Sequence, residues 1–336
     1  MARRYPAFCD MTRFPQEKDI HNWIRTLALV AMIGMFIVLI SGIAVTDTGS
    51  QVGCGHSWPL CRGQFIPQFA FTTAVEFTHR SLTAVETVLI LLETAAILIW
   101  YRTQKPLKVM APLLLLGLFG EAAMGAWSVL DPQQPAVLAL HFGISLLAVS
   151  TTVIAYGLLR QGARAYPAVR SSTSSRVASW SMLAFLLLVV YSGAFIRLDN
   201  TGAACMSWPI CFGSHGSPYA IFIDLLHRAG GAAAFFIAMF LMAFFRRTDP
   251  ERKDLSRWAR VLLYAILLQG VAGAVLALSS LSLWAELLHG TLAGVLFSVA
   301  AWLCLLSMLG PLPYKDGPEG APGAAEPAGI LAPVSS

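Results

Sequence analysis

Charge is what this 336-residue chain has least of. Asp, Glu, Lys and Arg make up 12% of it, about half the share usual in a soluble domain. Interior proline is almost as scarce within the apolar runs, where Pro112, near one end, is the exception. That scarcity argues against a transporter, whose discontinuous helices are interrupted by Gly and Pro near the midplane. What fills the space is apolar: 57% of residues are hydrophobic and the mean hydropathy is +0.66. Eight runs approach or exceed the roughly 20 residues that cross a hydrocarbon core. They lie near 26–45, 75–100, 109–130, 136–159, 178–197, 220–245, 259–281 and 283–309. The expected fold class is an all-α polytopic membrane protein in contact with the lipid bilayer.

The net charge of +5 does not signal nucleic acid. Nineteen of the 23 Lys and Arg fall in the two tails or in alternate connections, and only Arg62, Arg80, Arg197 and Arg228 fall on the other side. By the positive-inside rule both termini are cytoplasmic and the connections after the first and fifth spans face outward. The first span follows a polar tail and is read as a retained helix, not a cleaved leader.

The chain is written twice. Cys54-Gly55-His56-Ser57-Trp58-Pro59-Leu60-Cys61 returns as Cys205-Met206-Ser207-Trp208-Pro209-Ile210-Cys211. His79 to His227, His141 to His289 and Gly125 to Gly273 are each 148 residues apart. A steady offset across four spans marks an internal repeat, and an even number of spans per repeat gives both halves the same orientation. The expected organisation is a cytoplasmic amino tail (1–25), an amino-terminal four-helix bundle (26–159), a cytoplasmic linker (160–177), a carboxyl-terminal bundle (178–309) and a disordered tail (310–336). The bundles are expected side by side as pseudo-symmetric parallel repeats.

His79, His141, His227 and His289 stand near the outer starts of the even-numbered spans, so each half offers one histidine pair. Paired histidines on facing helices are a means of holding a haem iron through two axial ligands. A structural zinc site wants about four ligands, and two histidines per half supply too few. No Cys-x-x-Cys-His occurs, so any haem is non-covalent. Arg80 and Arg228 each follow a histidine, suited either to haem propionates or to snorkelling at a helix end. Each cysteine pair, Cys54–Cys61 and Cys205–Cys211, faces an oxidising side and suits a structural disulfide. A redox-active pair and a Cys54, His56 and Cys61 zinc site are the other readings.

The halves differ in their carboxylates. Glu76 precedes His79 by three residues, where the second half has Asp224. Glu86, Glu93 and Glu121 correspond to Ala234, Leu241 and Gln269. Intramembrane carboxylates are costly and are either functional or held by structural hydrogen bonds. Glu76, one turn from a ligand histidine, is placed to take protons or steady positive charge. The amino half is therefore expected to do chemistry and the carboxyl half to transfer electrons.

Thr46-Asp47-Thr48-Gly49-Ser50, Gly53-Cys54 with Trp58-Pro59-Leu60-Cys61, Glu76-Phe77-Thr78-His79-Arg80, and the copies ending in His227-Arg228 and His289 resemble the haem A synthase family, in its cysteine-containing bacterial subgroup. The likeness spans residues 26 to about 309. It implies an oxidoreductase of the bacterial inner membrane that converts the ring methyl of haem O to a formyl group by two successive oxidations. It implies haem O on His79 and His141 with Glu76 catalytic, and haem b on His227 and His289 passing electrons to an unidentified membrane acceptor. Delivery of haem O by haem O synthase is a further implication. The alternative from another class is a bis-haem b electron-transfer cytochrome, linked to quinol or thiol, which leaves Glu76 unexplained.

Overall fold

A computed structural model describes residues 15–68, 70–131, 135–162, 167–198, 205–212 and 216–310. Eight helices account for most of them: α1 (Pro15–Asp47), α2 (Phe71–Trp100), α3 (Lys105–Leu130), α4 (Pro135–Gln161), α5 (Thr173–Leu198), α6 (Pro218–Thr248), α7 (Lys253–Leu278) and α8 (Leu283–Met308). All eight are long and apolar enough to cross a membrane, and no named strand occurs among the described residues. The chain is an all-α polytopic membrane protein, as its composition indicates.

The helices outrun the apolar runs that announced them, because hydropathy marks only the part that sits in hydrocarbon. Backbone hydrogen bonding carries a helix on into the polar interface. The largest difference is at α1, which begins at Pro15, so residues 15–25 of the expected amino tail form its first turns. Residues 1–14 and the expected disordered tail beyond Gly310 lie outside the described residues. At α7 the helix stops at Leu278, before the expected end at 281, and Ser280 and Leu281 take positive φ of 57° and 58° in the turn to α8.

Local chemistry explains the ends that matter for the site. After α1, Gly49 adopts φ +65°, its N–H reaches the Thr46 carbonyl at 3.2 Å, and the Ser50 N–H reaches Val45 at 2.8 Å. That is the Schellman pattern of a glycine-terminated helix, and it gives Thr46 to Ser50 a structural reason. At the start of α6, Ser217 accepts from the Ala220 N–H at 3.2 Å, with Pro218 in the first turn where it needs no donor.

The helices pack as α1 on α2 and α4, α3 on α2 and α4, α5 on α6 and α8, and α7 on α6 and α8. Contacts of α8 with α1 and α4, and of α4 with α5, join these groups. Leu146 and Val149 of α4 and Phe297 and Leu303 of α8 are fully or almost fully buried. Leu116, Leu188, Phe236 and Phe240 point outward instead, as lipid-facing side chains do in a spanning bundle.

One end is tied by a polar fastener. Arg252, 2% exposed, pairs with Asp254 at 2.8 Å and donates to the carbonyls of Val169, Leu306 and Leu309. Asp249 accepts from the Ser172 N–H at 3.0 Å and from its hydroxyl at 3.0 Å, just ahead of α5. Cys304 is the free cysteine among the described residues, and its thiol rests on the Ser179 carbonyl at 3.3 Å, in keeping with a packing role.

Candidate functional site

The site begins with the loop after α1. Cys54 and Cys61 are joined as a disulfide, as are Cys205 and Cys211. With both sulfurs bonded, the loop has no thiolates for the zinc reading, and His56 Nδ1 lies instead 3.1 Å from the Val129 carbonyl at the end of α3.

Each loop is clamped to the following helix by the acid and arginine one turn apart on it. Glu76, 3% exposed, accepts from the Cys54 N–H at 2.8 Å and from Arg80 Nη2 at 2.6 Å. Arg80 Nη1 donates to the carbonyls of Ser57 at 2.8 Å and Leu60 at 3.2 Å. In the second copy Arg228 Nε meets Asp224 at 2.6 Å, and its other nitrogens donate to the carbonyls of Ser207, Pro209 and Cys205. The arginines thus have a duty that sequence reading did not assign, holding the cysteine loop. They are not equivalent. All three nitrogens of Arg228 are engaged, whereas Arg80 Nε has no partner among the described residues.

Beneath the loops lies one cavity of about 1780 Å³. A small-molecule pocket is typically about 300–1,000 Å³, so this volume has room for more than one large ligand. His79, His141, His227 and His289 all border it, with Glu76, Arg80, Asp224 and Arg228 at the loop side. Glu86, Glu121 and Gln269 also line it. Glu93 is fully buried but is not part of its wall. Neither carboxylate oxygen of Glu86 or Glu93 has a hydrogen-bond partner among the described residues.

Each histidine is met by the helix before it. His79 Nδ1 lies 2.8 Å from Ser41 Oγ on α1. His227 Nδ1 lies 2.9 Å from the Val189 carbonyl and 3.2 Å from Ser192 Oγ on α5. His141 Nδ1 stands 3.8 Å from Glu121 of α3. His289 is met by the Gln269 amide of α7, 3.2 Å from Nε2. A glycine accompanies every meeting: a Cβ on Gly42, Gly125, Gly193 or Gly273 would stand 3.2, 3.6, 2.6 or 3.2 Å from the Cε1 of His79, His141, His227 or His289. Sequence reading found Gly125 and Gly273 only as markers of the repeat and missed Ser41, Gly42, Ser192 and Gly193. Their signal was a Ser-Gly pair recurring at 151 residues rather than 148.

The residues fit a haem on chemical grounds. Each half turns two imidazoles toward an apolar-walled cavity, the donor set of bis-histidine iron, and both pairs border a space large enough for two ligands.

Comparison with known proteins identifies the family. Residues 25–301 match the family described as cytochrome oxidase assembly protein. A protein named heme A synthase from Symbiobacterium thermophilum is 33% identical over 297 residues, covering 85% of this chain and 95% of that one. Proteins of the same name from Bacillus cereus and Bacillus anthracis are 30% identical over 310 residues, covering 90% of this chain and 98% of theirs. The chain therefore belongs to the haem A synthase family of cytochrome oxidase assembly proteins.

Proposed function

We propose that this chain oxidises the ring methyl of haem O to the formyl group of haem A. The observation that carries the reading is the single cavity bordered by two histidine pairs and Glu76, in a chain whose full-length relatives bear the synthase name. Nothing in the cavity or the relatives favours the electron-transfer cytochrome.

The halves divide the work. His79 and His141 hold the substrate haem in the amino-terminal bundle, and His227 and His289 hold a haem b in the carboxyl-terminal one. The duplicated helix contacts and the repeat support two parallel, pseudo-symmetric bundles. A bound haem b supplies one-electron transfer to an acceptor in the membrane.

Glu76 lies one helical turn before His79, at the cavity wall. Each oxidation removes two electrons and two protons while a water supplies the oxygen, giving first an alcohol and then a hydrated aldehyde that loses water. The electrons pass to the membrane acceptor, and the Glu76 carboxylate takes one of the protons. Arg80 holds Glu76 in place, and its Nε is left to donate to a propionate of the substrate. At Arg228 a propionate must share a donor with the loop carbonyls, so propionate binding there is the weaker of the two.

The placement of positive charge supports cytoplasmic termini and outward cysteine loops in a bacterial inner membrane, where haem O synthase is the natural source of substrate.

Single-histidine variants test the division. His79→Ala and His141→Ala are expected to abolish formyl haem while retaining haem b. His227→Ala and His289→Ala are expected to lose haem b. Loss of haem b from the first pair with retention in the second would reverse the assignment.

A further inference from the structure

At His79 and His227 the two halves repeat one hydrogen-bond arrangement. Ser41 donates its hydroxyl proton to the Val38 carbonyl at 2.8 Å while its oxygen faces His79 Nδ1 at 2.8 Å. Ser192 donates to the Val189 carbonyl at 2.7 Å and faces His227 Nδ1 at 3.2 Å.

A hydroxyl has one proton and otherwise only lone pairs. A serine that gives its proton to the helix carbonyl can only accept from the imidazole, an arrangement that places the hydrogen on Nδ1. The Val189 carbonyl requires the same, because it lies 2.9 Å from His227 Nδ1 and has no proton to give. A neutral imidazole carries one N–H, which leaves Nε2 as the bare nitrogen.

The neighbouring residue sets the depth of the ring. Gly42 and Gly193 lie against Cε1, the carbon between the two nitrogens, where a Cβ would stand 3.2 and 2.6 Å away. A methyl group at Gly193 would displace the ring, and one at Gly42 would press on it.

We propose that Ser41–Gly42 on α1 and Ser192–Gly193 on α5 are histidine-positioning pairs. The serine, joined at His227 by the Val189 carbonyl, holds the proton on Nδ1 and the glycine fixes ring depth, so that Nε2 is presented to iron. Hydrogen bonding at the far nitrogen orients a ligand histidine and raises its basicity. His141 and His289 lack this pair and meet Glu121 and Gln269 instead. The halves therefore share one ligand environment and differ in the other. The proposal rests on the haem-ligation reading above.

The test uses full-length purified protein with its haem, read by low-temperature electron paramagnetic resonance and by haem midpoint potential. Ser192→Ala is expected to retain haem but shift the low-spin signal and the potential. Ser192→Thr, which keeps the hydroxyl, is expected to restore both. Gly193→Ala is expected to convert low-spin haem to high-spin. In protein loaded with haem O, Ser41→Ala is expected to shift the signal and Ser41→Thr to restore it, as at Ser192. If Ser192→Ala and Gly193→Ala both keep the wild-type spectrum and potential, the positioning role is overturned. Should Gly193→Ala not fold, the Ser192 variants decide alone. The ligation reading fails separately, if the wild-type low-spin signal survives both His227→Ala and His289→Ala.

Discussion

Glu76 has two tasks, and a single substitution confounds them. Its carboxylate anchors the Cys54 N–H and Arg80, and it also borders the cavity beside His79. Glu76→Gln is expected to lower formyl haem production by about 10²-fold or more, the usual scale for a positioned acid or base. Arg80→Ala releases the loop without removing the carboxylate, so it should cost less if the carboxylate acts chemically. Asp224→Asn should leave production near the wild-type level. Measuring the formyl-to-haem O ratio in the three variants separates the tasks; equal losses in all three would make the acid a clamp in both halves. The sequence exposed Glu76 because its own second copy replaces it with Asp224. It hid Ser41 and Ser192, because what defines them is a contact between helices, and neither hydropathy nor a run of like residues registers one. The arginines illustrate the same limit. Their place after each histidine was legible, but their grip on loop carbonyls depends on how the loop folds back.

Among elements, the cysteine loop and the Arg252 fastener carry the clearest stability predictions. Closing the small Cys54–Cys61 loop, a separation of 7 residues, is worth about 2–3 kcal/mol on the chain-entropy estimate. Cys54→Ser with Cys61→Ser should lower the thermal midpoint in detergent while the haem spectrum persists, since Glu76 and Arg80 still clamp the loop. Loss of haem at temperatures where the variant remains folded would make the disulfide part of the site. At the opposite end, Arg252→Ala leaves the buried carbonyls of Leu306 and Leu309 without their donor, a loss of about 1–3 kcal/mol for each group left unmatched. Asp249 adds a pH signature. Burial raises its carboxyl, but the hydrogen bonds from the Ser172 N–H and hydroxyl and the charge of Arg252 outweigh it and hold it below the usual 3.8. A depressed value stabilises the fold above pH 3.8, and that contribution is lost as pH falls further. Wild type should therefore lose more stability than Asp249→Asn on acidification below pH 4. Parallel melting curves would contradict the fastener. Helix existence was legible from hydropathy, whereas the ends were not, because α1 and α7 end on turn geometry at Gly49 and Ser280.

For the molecule as a whole, two histidine pairs open on one cavity, under two disulfide loops, in a chain repeated across eight helices. The offset of 148 residues made the repeat and the four histidines visible, but that both pairs share a single space emerges only when α4 and α8 are packed together. The most direct test is made in a host that produces haem O and no haem A. After expression of this chain, extracted membranes should contain the formyl haem or its alcohol precursor, and both should fall by about 10²-fold or more with Glu76→Gln. Membranes that hold the folded protein with haem b and unaltered haem O alone would contradict the account.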